Sequence, residues 1–201
     1  VENVRKGIGA DERIGYDFIF PGVGYGGSCF PKDVKALLNT AEDNDMEMRI
    51  VKAVDRVNER QKKLLFDKIH DHFQGNLSNK KIAVWGLSFK PGTDDMRGAP
   101  SRTIINNLLE EGASVHAHDP KANGTARAIF GEKINFYDNQ YSAIDGANAL
   151  ALVTEWSQFR NPDFDRMKKK MSESGAIFDG RNIYDPDKIR SMGFYYYGIG
   201  R

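Results

Sequence analysis

One side chain in this sequence is suited to covalent chemistry. Cys29 is the single cysteine, in the segment Gly26-Gly27-Ser28-Cys29-Phe30-Pro31-Lys32-Asp33. A lone thiol forms no intrachain disulfide and fits a reducing compartment, most simply the cytoplasm. Such a residue is usually an inert part of a core. Three neighbouring features argue for reactivity instead. Gly26-Gly27-Ser28 place it in an open loop. Pro31 is tolerated in a first helical turn, so the thiol just precedes a helix N-terminus, whose partial positive charge favours an anion. Lys32 adds a cation, and Asp33 a carboxylate able to orient a group or carry a proton. On these residues alone, the reactive and inert readings stand level.

The elements that must hold this loop are legible on both sides of it. Residues 1–31 are rich in Gly and aromatic residues, and 18–27 read as an ordered loop rather than a regular element. Val34, Leu37, Leu38 and Ala41 recur at helical spacing up to about Glu42. A second helical pattern runs from Met46 to about Phe73 in a mostly one-sided stripe broken at Gln61. A helix of ~28 residues is about 42 Å long, as suits a spacer or a dimer interface, and an ordinary core helix is an equal alternative. Gly75 to Asn79 is a turn-rich boundary. Short strands then alternate with helices: strands at 82–85, 114–118, 134–137, 149–153, 176–178 and 194–197, and a helix from Pro100 to Glu111. This is the βαβ signature of a doubly wound parallel sheet. The expected architecture is α/β: a helical central segment with a long helix (1–78), then a Rossmann-like sheet domain (79–201).

In open parallel sheets, ligands bind beyond the C-terminal strand ends. Three such ends carry informative residues: Gly86 to Arg97, Thr154-Glu155-Trp156, and Asp179-Gly180-Arg181-Asn182. They are expected to bring Lys90, Arg97 and Arg181 to one rim, with Phe89 and Trp156 as aromatic surfaces. Cations beside aromatic faces suit a phosphorylated, ring-containing ligand, and solvated rim charge is the alternative. The first turn lacks Gly-x-Gly-x-x-Gly, and Asp119 lies too far from it for the usual ribose acid, so NAD is not assigned to this sheet. The glycines at 22–27 lack a strand–turn–helix context and are read as allowing close approach of backbone to a ligand. His116 and His118 share a strand face without an obvious third ligand, so no metal site is expected. His70 and His72, near a helix end, are read as solvated or dipole-stabilised.

Composition limits the partners. With 29 basic and 28 acidic side chains, the chain lacks the cation excess of a nucleic-acid binder. No apolar run approaches the roughly 20 residues that span a bilayer. The chain opens Val1-Glu2-Asn3-Val4, with neither an initiator Met nor signal-peptide character, and is expected to be a piece of something longer.

Taken together, the motifs resemble those of the UDP-glucose 6-dehydrogenases, within the UDP-glucose/GDP-mannose dehydrogenase family. The active-site segment is similar to Gly24-Tyr25-Gly26-Gly27-Ser28-Cys29-Phe30-Pro31-Lys32-Asp33-Val34. Phe89-Lys90-Pro91-x-Thr93-Asp94-Asp95-x-Arg97 and Asp179-Gly180-Arg181-Asn182-Ile183-Tyr184-Asp185-Pro186 resemble two further signatures, and Arg13-Ile14-Gly15 also fits. The resemblance implies an NAD-dependent, two-step oxidation of UDP-glucose to UDP-glucuronate. It casts Cys29 as the nucleophile that forms a thiohemiacetal and then a thioester, and Asp33 as a group positioning or activating water. It casts Phe18, Ile19, Phe20, Pro21, Gly22 and Gly26 as the substrate loop, Lys90 as a holder of the nucleotide sugar, and Arg181 as a further substrate contact. Lys32 and Arg97 would touch NAD. Arg13 would reach a neighbouring subunit's site, which implies a homodimer.

The same resemblance implies an N-terminal dinucleotide-binding domain that this sequence does not contain. With it are missing the family's lysine and asparagine that polarise the reacting oxygen and its threonine and glutamate near substrate and water; Lys80 does not match that lysine. Two alternatives stay open. One is a dehydrogenase of GDP-mannose or a UDP-N-acetylhexosamine, although the Tyr25 and Phe30-Pro31 context favours UDP-glucose. The other is a non-catalytic nucleotide-sugar-binding or dimerisation module. The 201-residue chain by itself is expected not to turn over; a full-rate NADH signal from it alone would contradict this.

Overall fold

A computed structural model describes residues 1–17 and 19–201. Three helices come first: α1 (Glu2–Gly9), α2 (Phe30–Asp43) and α3 (Arg49–His72). The sheet strands are β1 (Lys81–Trp85), β2 (Ser114–His118), β3 (Asn135–Phe136), β4 (Ala149–Leu152), β5 (Ala176–Asp179) and β6 (Tyr195–Gly198). Between them lie α4 (Pro100–Glu110), α5 (Asn123–Phe130), α6 (Gln140–Ala143), α7 (Ser157–Arg160), α8 (Phe164–Lys170) and α9 (Pro186–Ser191).

All six strands are parallel, in the order β3-β2-β1-β4-β5-β6, so the chain winds outward in both directions from β1 and β4. This is the doubly wound order expected from the alternating pattern. Strand side chains alternate between two cores. Ile82 and Val84 of β1 join Ile104 and Ile105 of α4 on one face, and Ala83 and Trp85 join Phe159 and Met167 on the other. The central strands are apolar on both sides, as a sheet covered by helices on both faces requires.

Helix α3 is shorter than its periodicity predicts. Its 24 residues span about 36 Å. Asp45 adopts φ +53°, and the Met46 amide donates back to the Ala41 carbonyl at 2.8 Å, so the chain turns at 44–45 and 46–48 lie outside any helix. The two halves of α3 differ. Leu65 and Ile69 are fully buried in the first core, whereas Ile50, Val54 and Val57 are exposed. No described helix is long and apolar enough to cross a membrane.

His72 corrects the expectation of a solvated, dipole-stabilised ring. It packs edge-on to Phe73, Phe178, Tyr195 and Tyr197, its Nδ1 lies 2.9 Å from the Tyr197 hydroxyl, and burial lowers its pKa. His116 and His118 are structural as well. His116 Nδ1 meets the Tyr137 hydroxyl at 2.8 Å, and His118 bonds the Tyr137 carbonyl and Gln158. Among the described residues, no group of three His, Cys, Asp or Glu side chains gathers as a metal site.

Burial first, then the Lys81 charge, pushes the His116 pKa down to about 4. The unfolded state therefore binds more protons between pH 6.5 and 4, so stability is intact above pH 6.5 and falls as pH drops toward 4. The loss attributable to His116 is up to about 3 kcal/mol. Urea unfolding at pH 7.0 and 4.5 should show a steeper decline for wild type than for His116→Gln; equal declines would contradict it.

Candidate active site

The Gly-rich loop passes between α3 and the C-terminal ends of β4 and β5. Val23 anchors it: the side chain is 1% exposed and joins the first core. Helix α3 grips the loop backbone on either side. Gln61 Nε2 donates to the Gly22 carbonyl at 2.7 Å; the Tyr25 N–H donates to Asn58 Oδ1 at 2.8 Å, and Asn58 Nδ2 returns a bond to the Tyr25 carbonyl at 3.2 Å. From the sheet, the Arg181 guanidinium abuts Gly22 so closely that a Cβ there would collide with it. Between loop, helix and sheet opens a cleft of about 790 Å³, whose walls include Phe20, Tyr25, Val54, Asn58, Phe89 and Arg181.

Past Tyr25 the loop docks on the segment that follows β1. The Gly27 N–H donates to the Arg97 carbonyl at 2.7 Å, and a Cβ on Gly26 would lie 2.5 Å from the Gly98 carbonyl oxygen. Two backbones meet with no room for a side chain, which explains glycine at position 26. The glycines at 22 and 26 thus accommodate this chain's own Arg181 and Gly98 while their backbone lines the cleft. Cys29 follows at the N-terminus of α2, exposed, with Ser28 Oγ 3.6 Å from its sulfur.

The cations arrive by separate routes. Lys32 is exposed and pairs with Asp33 at 3.1 Å, so the Asp33 carboxylate faces its neighbour's ammonium. Arg97 forms a fork with Asp95, whose carboxylate it holds below the ordinary range; the Asp95 bond and then charge, including that of Cys29, raise the Arg97 pKa. Lys90 lies over the ring of Phe89, 5.4 Å from its centroid, and Phe89 lines the cleft. Arg181 is held by Glu155, with Nε 2.7 Å and Nη2 2.9 Å from the two carboxylate oxygens.

Two buried carboxylates set the loops that carry these groups. Asp119 Oδ2 accepts from the Leu87 and Ser88 amides and from Trp156 Nε1, while Oδ1 accepts from the Lys121 and Ala122 amides. Trp156, expected as an aromatic surface, is half-buried, and its indole N–H braces Asp119. Asp179 accepts from the Arg181 and Tyr184 amides and the Tyr196 hydroxyl; burial raises its pKa against these bonds.

The structure therefore gathers Phe20, Gly22, Gly26 and Arg181 on one cleft, with Cys29, Lys32, Asp33 and Arg97 on the adjoining loop and helix. Ile19 and Pro21 lie in the irregular segment entering it. Phe18 lies outside the described residues. Arg13 stands apart, with an 88% exposed side chain paired to Asp11. Asn58, Gln61 and Glu155 were not anticipated as site residues. Gln61 left a signal as a polar break in the stripe of α3, and Glu155 stands in one of the three informative strand ends.

Comparison with known proteins decides the family. Residues 1–60 match the central domain of the UDP-glucose/GDP-mannose dehydrogenase family, and residues 83–186 match its UDP-binding domain. The chain belongs to this family. A UDP-glucose 6-dehydrogenase from Pseudomonas aeruginosa is 48% identical over the whole of this chain, which spans 45% of that protein. A UDP-glucose dehydrogenase from Pyrobaculum islandicum superposes with a TM-score of 0.84 at 34% identity, covering 98% of this chain and 42% of that one. An NDP-N-acetyl-D-galactosaminuronic acid dehydrogenase from Methanosarcina mazei also gives 0.84, at 27% identity, covering 100% and 44%. The chain thus spans about half the length of the dehydrogenases it matches.

Within this family member, the six-stranded sheet does not fit NAD. The turn after β1 is not a dinucleotide loop, and the Asp119 carboxylate at the end of β2 is occupied by backbone amides and Trp156. The docking of the Cys29 loop rests on the Gly26–Gly98 contact. Gly26→Ala should speed hydrogen exchange of the Gly27 amide by about tenfold or more, the loss of one buried bond. Unchanged exchange by NMR or mass spectrometry would contradict the contact.

Proposed function

We propose that this chain is the nucleotide-sugar-holding and nucleophile-bearing part of an NAD-dependent UDP-glucose 6-dehydrogenase. The observation that carries the reading is the docking of Gly26 and Gly27 on Arg97 and Gly98, with Gly26 in the cleft wall and the exposed thiol of Cys29 following on the same loop. Residues 1–78 form the central segment and 79–201 the UDP-sugar-binding part. Phe20, Tyr25 and Phe89 offer apolar faces for rings, and Arg181 and Lys90 offer cations for a diphosphate. Phe18 and Ile19 to Gly22 form the substrate loop, and Lys32 and Arg97 face the cofactor.

Chemically, NAD supplies the acceptor for the two hydrides that leave the sugar C6. This chain supplies the rest. The Cys29 sulfur adds to the C6 aldehyde and gives a thiohemiacetal. After the second oxidation the sulfur carries the sugar acid as a thioester. Asp33 positions water, whose oxygen bonds C6 as the C6–S bond breaks, releasing the carboxylate and restoring the thiol. Sulfur suits both ends of this sequence, as a nucleophile and then as a leaving group.

Arg13, exposed on the surface, completes the site of a second copy in a homodimer. In this reading the dimer contact belongs to the central helix α3. A cytoplasmic location agrees with the free thiol.

The test uses the full-length protein with UDP-glucose and NAD. Wild type should yield two NADH per sugar, and Cys29→Ala should lose about a thousandfold or more in kcat. A Cys29→Ala rate within tenfold of wild type would overturn the nucleophile. Preferential turnover of GDP-mannose or UDP-N-acetylmannosamine would overturn the sugar while keeping the class.

A further inference from the structure

Among the described residues, 19–26 make no backbone–backbone hydrogen bond. A cleft wall without a ladder needs another source of rigidity, because unpaired backbone groups otherwise turn to water and the segment moves. Side chains of α3 supply that support.

Asn58 and Gln61 are three residues apart, so they share one face of the helix. That face begins at Ile50 and lines the cleft with Ala53, Val54 and Val57 before it reaches the two amides. Asn58 is 4% exposed and spends both ends of its amide on one residue, accepting from the Tyr25 N–H and donating to the Tyr25 carbonyl. Gln61 donates to the Gly22 carbonyl at 2.7 Å. Between these two grips, Val23 is sunk in the core. Opposite Gln61, the Arg181 guanidinium closes on Gly22, itself held by Glu155.

The chemistry is specific to amides. A primary amide both accepts and donates, whereas a carboxylate only accepts. Aspartate at 58 would lose the bond to the Tyr25 carbonyl, and glutamate at 61 would set an acceptor against the Gly22 carbonyl. Apolar residues at either position would preserve the helical stripe and abandon the loop. The polar break in that stripe therefore serves the loop rather than the core.

We propose that Asn58 and Gln61 are positioning residues that hold the 22–25 backbone in the shape that receives the nucleotide sugar. The proposal rests on the reading of this cleft as the nucleotide-sugar site. Both residues act through the loop. Loosening either one weakens substrate binding more than it slows the chemical step, and leaves cofactor binding untouched.

The experiment uses the full-length protein and two variants. Gln61→Met keeps length and removes the donor; it should raise KM for UDP-glucose by about tenfold, with kcat within about threefold and KM for NAD unchanged. Asn58→Ala should speed hydrogen exchange of the Tyr25 amide by about tenfold, while exchange in the buried half of α3 stays as in wild type. A sugar KM within twofold of wild type for Gln61→Met overturns the proposal, as does unchanged Tyr25 exchange in Asn58→Ala. Failure of the functional reading has a different signature: wild type then oxidises no nucleotide sugar. In that event the exchange measurement decides the positioning role, with faster Tyr25 exchange supporting it and unchanged exchange overturning it.

Discussion

Two backbones that approach without side chains between them determine the rest of this site. Where Gly26 and Gly27 meet Arg97 and Gly98, a segment from the N-terminal helical part locks onto the loop after the first strand. That contact fixes where α2 begins, and α2 carries Cys29 at its entrance. It also places Phe89 against the Gly loop and so forms one wall of the cleft. A single methyl group at position 26 would have to displace a carbonyl, and packed backbone yields far less readily than a flexible side chain.

The sheet contributes rigidity through buried carboxylates. In a dinucleotide-binding sheet, the acid ending the second strand is left free to bind a ribose. Here Asp119 occupies that place and spends both oxygens on the turn after β1, on its own following turn and on Trp156. Asp179 does the same at the end of β5, for the turn that presents Arg181. At both strand ends the carboxylate is spent on the loops that carry cations. The parallel strand order is that of a dinucleotide-binding sheet, with the acid at the end of the second strand tied to backbone.

How much of this was legible in the sequence follows from the range of the forces involved. Strands β1 and β2 and helix α4 were readable because local periodicity and Pro100 determine them. The Cys29 loop was readable because residue types cluster within a few positions. Strand β3 came out shorter than its apolar run, since only His116 and Ala117 of β2 offer it partners. Helix α3 starts at Arg49 rather than Met46 because the Met46 amide is spent on the Ala41 carbonyl, closing the turn at 44–45. The contacts of Asn58 and Gln61 were hidden for a different reason: their partners lie 33 and 39 residues away, on the far side of the cysteine. The structural use of Asp119 was equally hidden, because a buried hub and a ribose ligand look identical as one acidic letter at a strand end.

One spatial relation decides the proposed function: whether the cleft and the thiol belong to a single site. A crystal structure of the full-length protein with UDP-glucose tests it directly. The diphosphate should lie in the cleft between Arg181 and Phe89, with the sugar C6 within about 3.5 Å of the Cys29 sulfur, a distance from which the bond can form. A ligand bound in that cleft with C6 turned away from Cys29, or bound elsewhere on the chain, would contradict it.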